Sequence, residues 1–186
     1  MLRRRPVILI AFAVLVVGLV VGLAVFEPWK LFVDRTVDEA APVSGGPVSA
    51  GPVAAAPVAA GPVPTAAAPA VPGLLARGDL IAHEHASSGS VEVLRLSDGS
   101  RVLRLQDLRT SDGPNLHVWL TDAPVLPGKD GWYVFDDGRH VDLGPLKGNI
   151  GSSNYPIPAD VDLAALRSVT IWCDRFNVSF AAAALA

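Results

Sequence analysis

The stretch Ser168-Val169-Thr170-Ile171-Trp172-Cys173-Asp174-Arg175-Phe176-Asn177-Val178-Ser179-Phe180 holds the only cysteine of a 186-residue chain. Val169 and Ile171 alternate with Thr170 and Trp172, and β-branched and aromatic residues at period two suit a pleated, half-buried surface. Cys173 then falls on the Val169 and Ile171 face. If the alternation ran on unbroken, Phe176, Val178 and Phe180 would point to the opposite face. Either both faces are covered, or a bulge near Asp174 and Arg175 resets the register. Cysteine is among the most buried residue types, so on its own Cys173 reads as a small core hydrophobe.

Outward from this strand, further strand signals are frequent. Residues 80–85, 91–96, 101–105, 116–120, 131–135 and 139–143 each combine period-two apolar residues with turn residues at their ends. Asp98-Gly99 supplies a two-residue turn between 91–96 and 101–105, and Asp136-Asp137-Gly138 does the same between 132–135 and 140–143. Only 160–167 suggests a helical turn, with Asp160 as N-cap and Leu163 and Leu166 three apart. Short strands with turn signals every 8 to 12 residues or so predict an all-β fold, an antiparallel sandwich or barrel over residues 74–186.

The N-terminal third has a different character. Arg3, Arg4 and Arg5 precede an uncharged run over 6–26, about the twenty residues that cross a bilayer core. That run exceeds the roughly 7 to 15 apolar residues of a cleaved signal, so residues 1–26 read as a cytoplasmic tip and an uncleaved transmembrane signal anchor. Three arginines before the span and only Lys30 and Arg35 close after it place the N-terminus in the cytoplasm and the remainder outside. The expected location is the plasma membrane, crossed once, with the lipid bilayer as a partner of the N-terminal helix and the C-terminal domain extracytoplasmic.

Residues 27–73 read as a juxtamembrane segment followed by a spacer. Trp29 suits an interfacial anchor. Pro42-Val43, Pro47-Val48, Pro52-Val53, Pro57-Val58 and Pro62-Val63 recur every five residues. Proline at this density removes amide donors and favours extended chain, reaching up to about 100 Å over 40–72. Beyond it, from Leu74 onward, 10 Lys/Arg stand against 14 Asp/Glu, a mildly acidic domain that argues against nucleic acid as a partner.

The chemistry-bearing residues are few. His83 and His85, two apart on a strand, would share a face and suit one metal ion. His117 and His140 read as surface residues. The sequence contains no serine-centred nucleophile elbow, phosphate-binding glycine loop or paired-cysteine zinc pattern. With one cysteine, no internal disulfide can form, so the thiol is buried, reactive, ligated or bridged between molecules.

Six blocks in order carry a family resemblance: His85-Ala86-Ser87-Ser88-Gly89, Val102-Leu103-Arg104-Leu105, Gly113 to Leu120, Leu143 to Gly151, Asn154-Tyr155-Pro156-Ile157-Pro158, and Ile171-Trp172-Cys173 to Phe176. Together, over about 77–185, they resemble the electron-transfer DM-thirteen domain, in its membrane-anchored bacterial type and related to the DOMON modules. The resemblance implies a β-sandwich with an extracellular redox role and a redox partner in the cell envelope. It implies that Cys173 acts as a bare thiol or as the ligand of a prosthetic group such as haem. The family's early histidine maps onto His85, which would be a second ligand; His83 has no counterpart. Ser153 stands where the family commonly has glutamine, and Trp119 where it has a tyrosine-like residue. Two functions therefore remain open: a redox module centred on Cys173, or a non-catalytic envelope-binding module in which Cys173 is structural.

Overall fold

A computed structural model describes residues 4–42 and 72–186; Arg3 and the repeats beyond Pro42 lie outside the described residues. The N-terminal helix α1 (Arg4–Phe26) is apolar over Val7–Phe26, with a mean hydropathy of 3.2, and is long enough to cross a membrane. It stops where Glu27 takes a left-handed conformation (φ 43°) and Pro28 opens a 3-10 turn over Pro28–Phe32.

Ten strands follow: β1 (Thr36–Asp38), β2 (Gly73–Asp79), β3 (Ile81–Ala82), β4 (Ser88–Arg95), β5 (Arg101–Arg109), β6 (Leu116–Thr121), β7 (His140–Pro145), β8 (Ile150–Ile157), β9 (Ser168–Cys173) and β10 (Val178–Ala184). They form two five-stranded sheets, ordered β1-β8-β5-β4-β2 and β3-β10-β9-β6-β7. All pairings are antiparallel except β1 on β8. The inner faces meet in one core, to which Val91, Leu103, Leu105 and Tyr155 contribute from the first sheet and Val118, Ile171, Cys173 and Phe180 from the second. Period-two alternation on β4, β5 and β6 places these side chains inward, and their burial supplies the main stabilisation of the sandwich. The all-β sandwich expected for this part of the chain is therefore observed.

Several local readings are corrected. Residues 168–180 form a hairpin rather than one strand. Asn177 sits at φ 48°, a conformation asparagine tolerates, and closes a turn that returns Val178 opposite Cys173. The turn, followed by a register shift between Ser179 and Ala181, brings Val178 and Phe180 onto the same core face as Cys173. Residues 132–135 form no strand. They follow a 3-10 turn at Gly128–Gly131, and β7 pairs with β6. Residues 160–167 hold the expected helical turn, with the Leu166 N–H on the Asp162 carbonyl at 3.0 Å, but its cap is Asp162 rather than Asp160: the Asp162 Oδ1 accepts from the Ala164 and Ala165 N–H groups at 2.9 and 3.3 Å.

Three strands escape the sequence pattern: β2, which lies just before the run read at 80–85 and pairs with β4, and two others. In β8, Gly151-Ser152-Ser153-Asn154 and Pro156 have low strand propensity, yet the strand lies between β1 and β5. The other is β1, within the segment read as juxtamembrane chain, which pairs Thr36, Val37 and Asp38 with Ile150, Gly151 and Ser152.

Candidate functional site: a thiol beneath an aromatic cleft

Cys173 ends β9, flanked by Leu116 of β6 and Val178 of β10, and is fully buried. Its Sγ–H donates to the Pro114 carbonyl at 3.2 Å. Burial pushes the thiol pKa up, and the Asp174 and Glu84 carboxylates push the same way. Backbone N–H groups of Phe176 and Arg175 partly oppose them. At neutral pH the sulfur is therefore a protonated thiol. Arg175 lies exposed in the turn rather than along a regular strand, so it faces the sulfur with its amide.

Beside the thiol opens a cleft of about 360 Å³, walled by Phe26, His85, Pro114, Trp132, Tyr133 and Phe176 among others. Pro114 is the thiol's acceptor and Phe176 belongs to the turn that covers it, so the cleft shares its wall with the Cys173 site. His85 packs its ring on Phe180, centroids 3.9 Å apart, and pairs through Nε2 with Glu84. Ser87 fixes this bend: its hydroxyl lies within hydrogen-bond distance of the His85 and Phe180 carbonyls, at 3.1 and 3.2 Å. The structure thus brings His85 and Cys173 to one end of the sandwich, with the Phe180 ring in the apolar cluster that contains the thiol.

His83 goes elsewhere, because β3 ends at Ala82 and the chain bends, so the two histidines do not share a face. Its Nε2–H donates to the Leu126 carbonyl at 3.0 Å, which leaves Nδ1 to accept from the Ser179 hydroxyl at 2.7 Å. Burial lowers its pKa, partly offset by the bond to Leu126. A histidine held neutral in the folded state contributes stability that is full above the unfolded pKa near 6.5 and is lost as pH falls through and below it. The melting temperature should accordingly drop between pH 7 and 5, and His83→Gln, which cannot take up that proton, should flatten the profile. A wild-type profile as flat as the variant's would contradict this assignment.

Among the described residues no group of three or more His, Cys, Asp or Glu side chains is placed to hold a metal ion. The residues do not fit a haem either. The Cys173 sulfur is buried and turned to the Pro114 carbonyl, and the His85 ring lies on Phe180 with Nε2 occupied by Glu84.

An aromatic layer on the outer face of the second sheet went unread in the sequence. Trp119 stacks on His140 (4.1 Å, 8°) and on Trp172 (5.2 Å, 26°), and Phe135 meets Trp172 edge-on at 6.4 Å. The signal for it was Trp172 and Trp119, both out of phase with the inward residues of their strands. Around β8, Ser153 bonds the Tyr155 hydroxyl at 3.4 Å in place of the expected glutamine, while the Asn154 side-chain amide donates to the Ala40 carbonyl, just beyond β1, at 2.9 Å.

A β-sandwich with a shielded thiol at one end, beside an aromatic cleft, is the class that fold and site define. The family model described as electron transfer DM13 matches residues 79–185, more than half of the chain. The chain belongs to that family, and the matched span contains His85, Cys173 and the strands from β3 to β10. No curated protein and no solved structure matches it.

Proposed function

We propose that this chain is a membrane-anchored electron-transfer module in which Cys173 is the redox group, acting as a bare thiol. α1 anchors it in the plasma membrane with the N-terminus cytoplasmic, and the sandwich lies outside, where a cell-envelope redox partner working at the membrane surface would meet the cleft. Family membership supports the redox role, and the observation that carries the assignment to Cys173 is the wall that the thiol site shares with the cleft. The thiol is protonated and covered at rest, so exchange requires the 174–177 turn to open locally.

A second reading is favoured by the same burial and raised pKa: a structural cysteine in a non-catalytic binding module. Glutathione disulfide separates the two through a balanced exchange, Cys–SH plus GSSG giving Cys–SSG plus GSH. Under native conditions the redox reading expects Cys173 to be modified faster than global unfolding permits, yet more slowly than in the unfolded chain, with Cys173→Ser inert. Modification no faster than unfolding would establish the structural cysteine. Glutathione disulfide does not cross membranes, so labelling of intact cells reads the side on which the domain lies.

A further inference from the structure

The edge strand β1 lies outside the span shared with the family, nine residues beyond the end of α1. Its docking is built on both sides. The Arg35 guanidinium grips Asp112 bidentately, Nε to Oδ2 at 2.9 Å and a terminal nitrogen to Oδ1 at 3.0 Å, and Asp112 is 2% exposed. Asn149 accepts from the Arg35 N–H at 2.6 Å and donates to Asp34 at 3.0 Å. At the far end of the strand Glu39 accepts from the Asn154 N–H at 2.7 Å and from Lys147 at 2.8 Å, and Arg104 donates to the Glu39 carbonyl at 3.0 Å. Glycines make the room: a Cβ on Gly148 would stand 2.5 Å from the Arg35 carbonyl oxygen, and one on Gly151 would stand 2.1 Å from that of Val37.

The contacts at the start of β1 lie at the Cys173 end of the sandwich. Asp112 immediately precedes the Gly113-Pro114 corner that accepts the thiol, and Leu116 pairs with Cys173. At this end Phe26, the last residue of α1, stacks on Phe176 of the β9–β10 turn, ring centroids 5.9 Å apart and 8° from parallel. Large apolar side chains stand exposed nearby: Trp29 and Phe32 in the connecting turn, Tyr133 and Phe176 at the cleft. Aromatic side chains where a span ends belong at the headgroup level of a bilayer.

We infer that the sandwich is clamped end-on to the membrane surface by residues 34–40, a strand of its own sheet, with its Cys173 end facing the lipid headgroups. The inference rests on α1 being a membrane span. The Pro-Val-rich residues 43–71 then do not set the distance between span and domain. They run from β1 back to β2, and their flanks Pro42 and Pro72 line one cavity on the outer face of the first sheet.

The test uses the full chain in phosphatidylcholine–phosphatidylglycerol vesicles, with a protease site replacing residues 54–56. After complete cleavage the C-terminal fragment should stay with the vesicles, held through β1, and Val37→Pro, which removes an amide donor from the clamp alone, should release it. Release of the unmutated fragment, or retention despite Val37→Pro, would overturn the clamp. Extraction of the uncut chain by alkaline carbonate would instead show that α1 is not a span, and the inference would fall with that reading. Spin labels at Arg175→Cys and Asp160→Cys, in a Cys173→Ser background, report orientation. The first should be several-fold less accessible to an aqueous nickel chelate than the second. Equal accessibility refutes the seating, and shielding that persists in detergent with a dimeric mass gives the surface to a second copy of the chain.

Discussion

Gly151→Ala is expected to lower the melting temperature by roughly 10 to 20 °C, a loss of about 3 to 5 kcal/mol. Gly151 sits at φ +102° in β8, where a side chain strains the backbone by about 1 to 3 kcal/mol. The new Cβ would also stand 2.1 Å from the Val37 carbonyl oxygen, so β1 must leave. Its departure strands the buried Asp112 carboxylate without Arg35, a loss of up to about 3 kcal/mol before allowing for the partial exposure of the arginine. A thermal melt with and without the substitution measures the sum. A drop corresponding to less than about 1 kcal/mol would mean that β1 contributes little to the folded unit.

Phe180→Ala should be as costly and should also change the chemistry. The ring is 2% exposed, packs on His85, and fills the space against Gly113, whose Cβ would lie 3.0 Å from the phenyl tip. Removing a buried phenyl typically costs about 3 to 5 kcal/mol because the surroundings relax only partly. The void opens beside the cluster that contains Cys173, so glutathione disulfide should modify the thiol many-fold faster in the variant while the domain is still folded. Denaturant unfolding and labelling, measured together, check both effects. Faster labelling that merely tracks the fraction unfolded would show that Phe180 does not gate the thiol.

The sequence was legible where side-chain alternation and turn chemistry agreed. The β4–β5 hairpin forms where Asp98-Gly99 separates two alternating runs, although its turn is three residues long, closed by the Leu96 N–H on the Ser100 carbonyl, with only Gly99 at positive φ. The inward face of β9 follows from Val169, Ile171 and Cys173. It was misleading where one residue carried two meanings. Asp174 to Asn177 fitted a bulge as well as the turn, and only the pairing of Val178 with Cys173 decides between them. β8 was hidden because Gly151 serves close approach by β1 and its serines bond Asp107 and Tyr155, which propensity cannot express. β1 was hidden because three residues make too short a pattern, and because Arg35 and Glu39 look like ordinary juxtamembrane charges until Asp112, Lys147 and Asn154 are beside them. Of the candidate site, Cys173 and His85 were legible as single residues. The wall of Pro114, Phe176 and Phe180 between and around them came from three separate turns and strands.

The closeness of Pro42 and Pro72 bears on how this chain can change over generations. A connection whose two ends rest on one surface patch can gain or lose five-residue units without displacing anything it joins. The folded unit is thus expected to tolerate a change in the number of Pro-Val repeats. The nine residues 27–35 are different, because their extended length of at most about 30 Å ties the cleft to the end of α1.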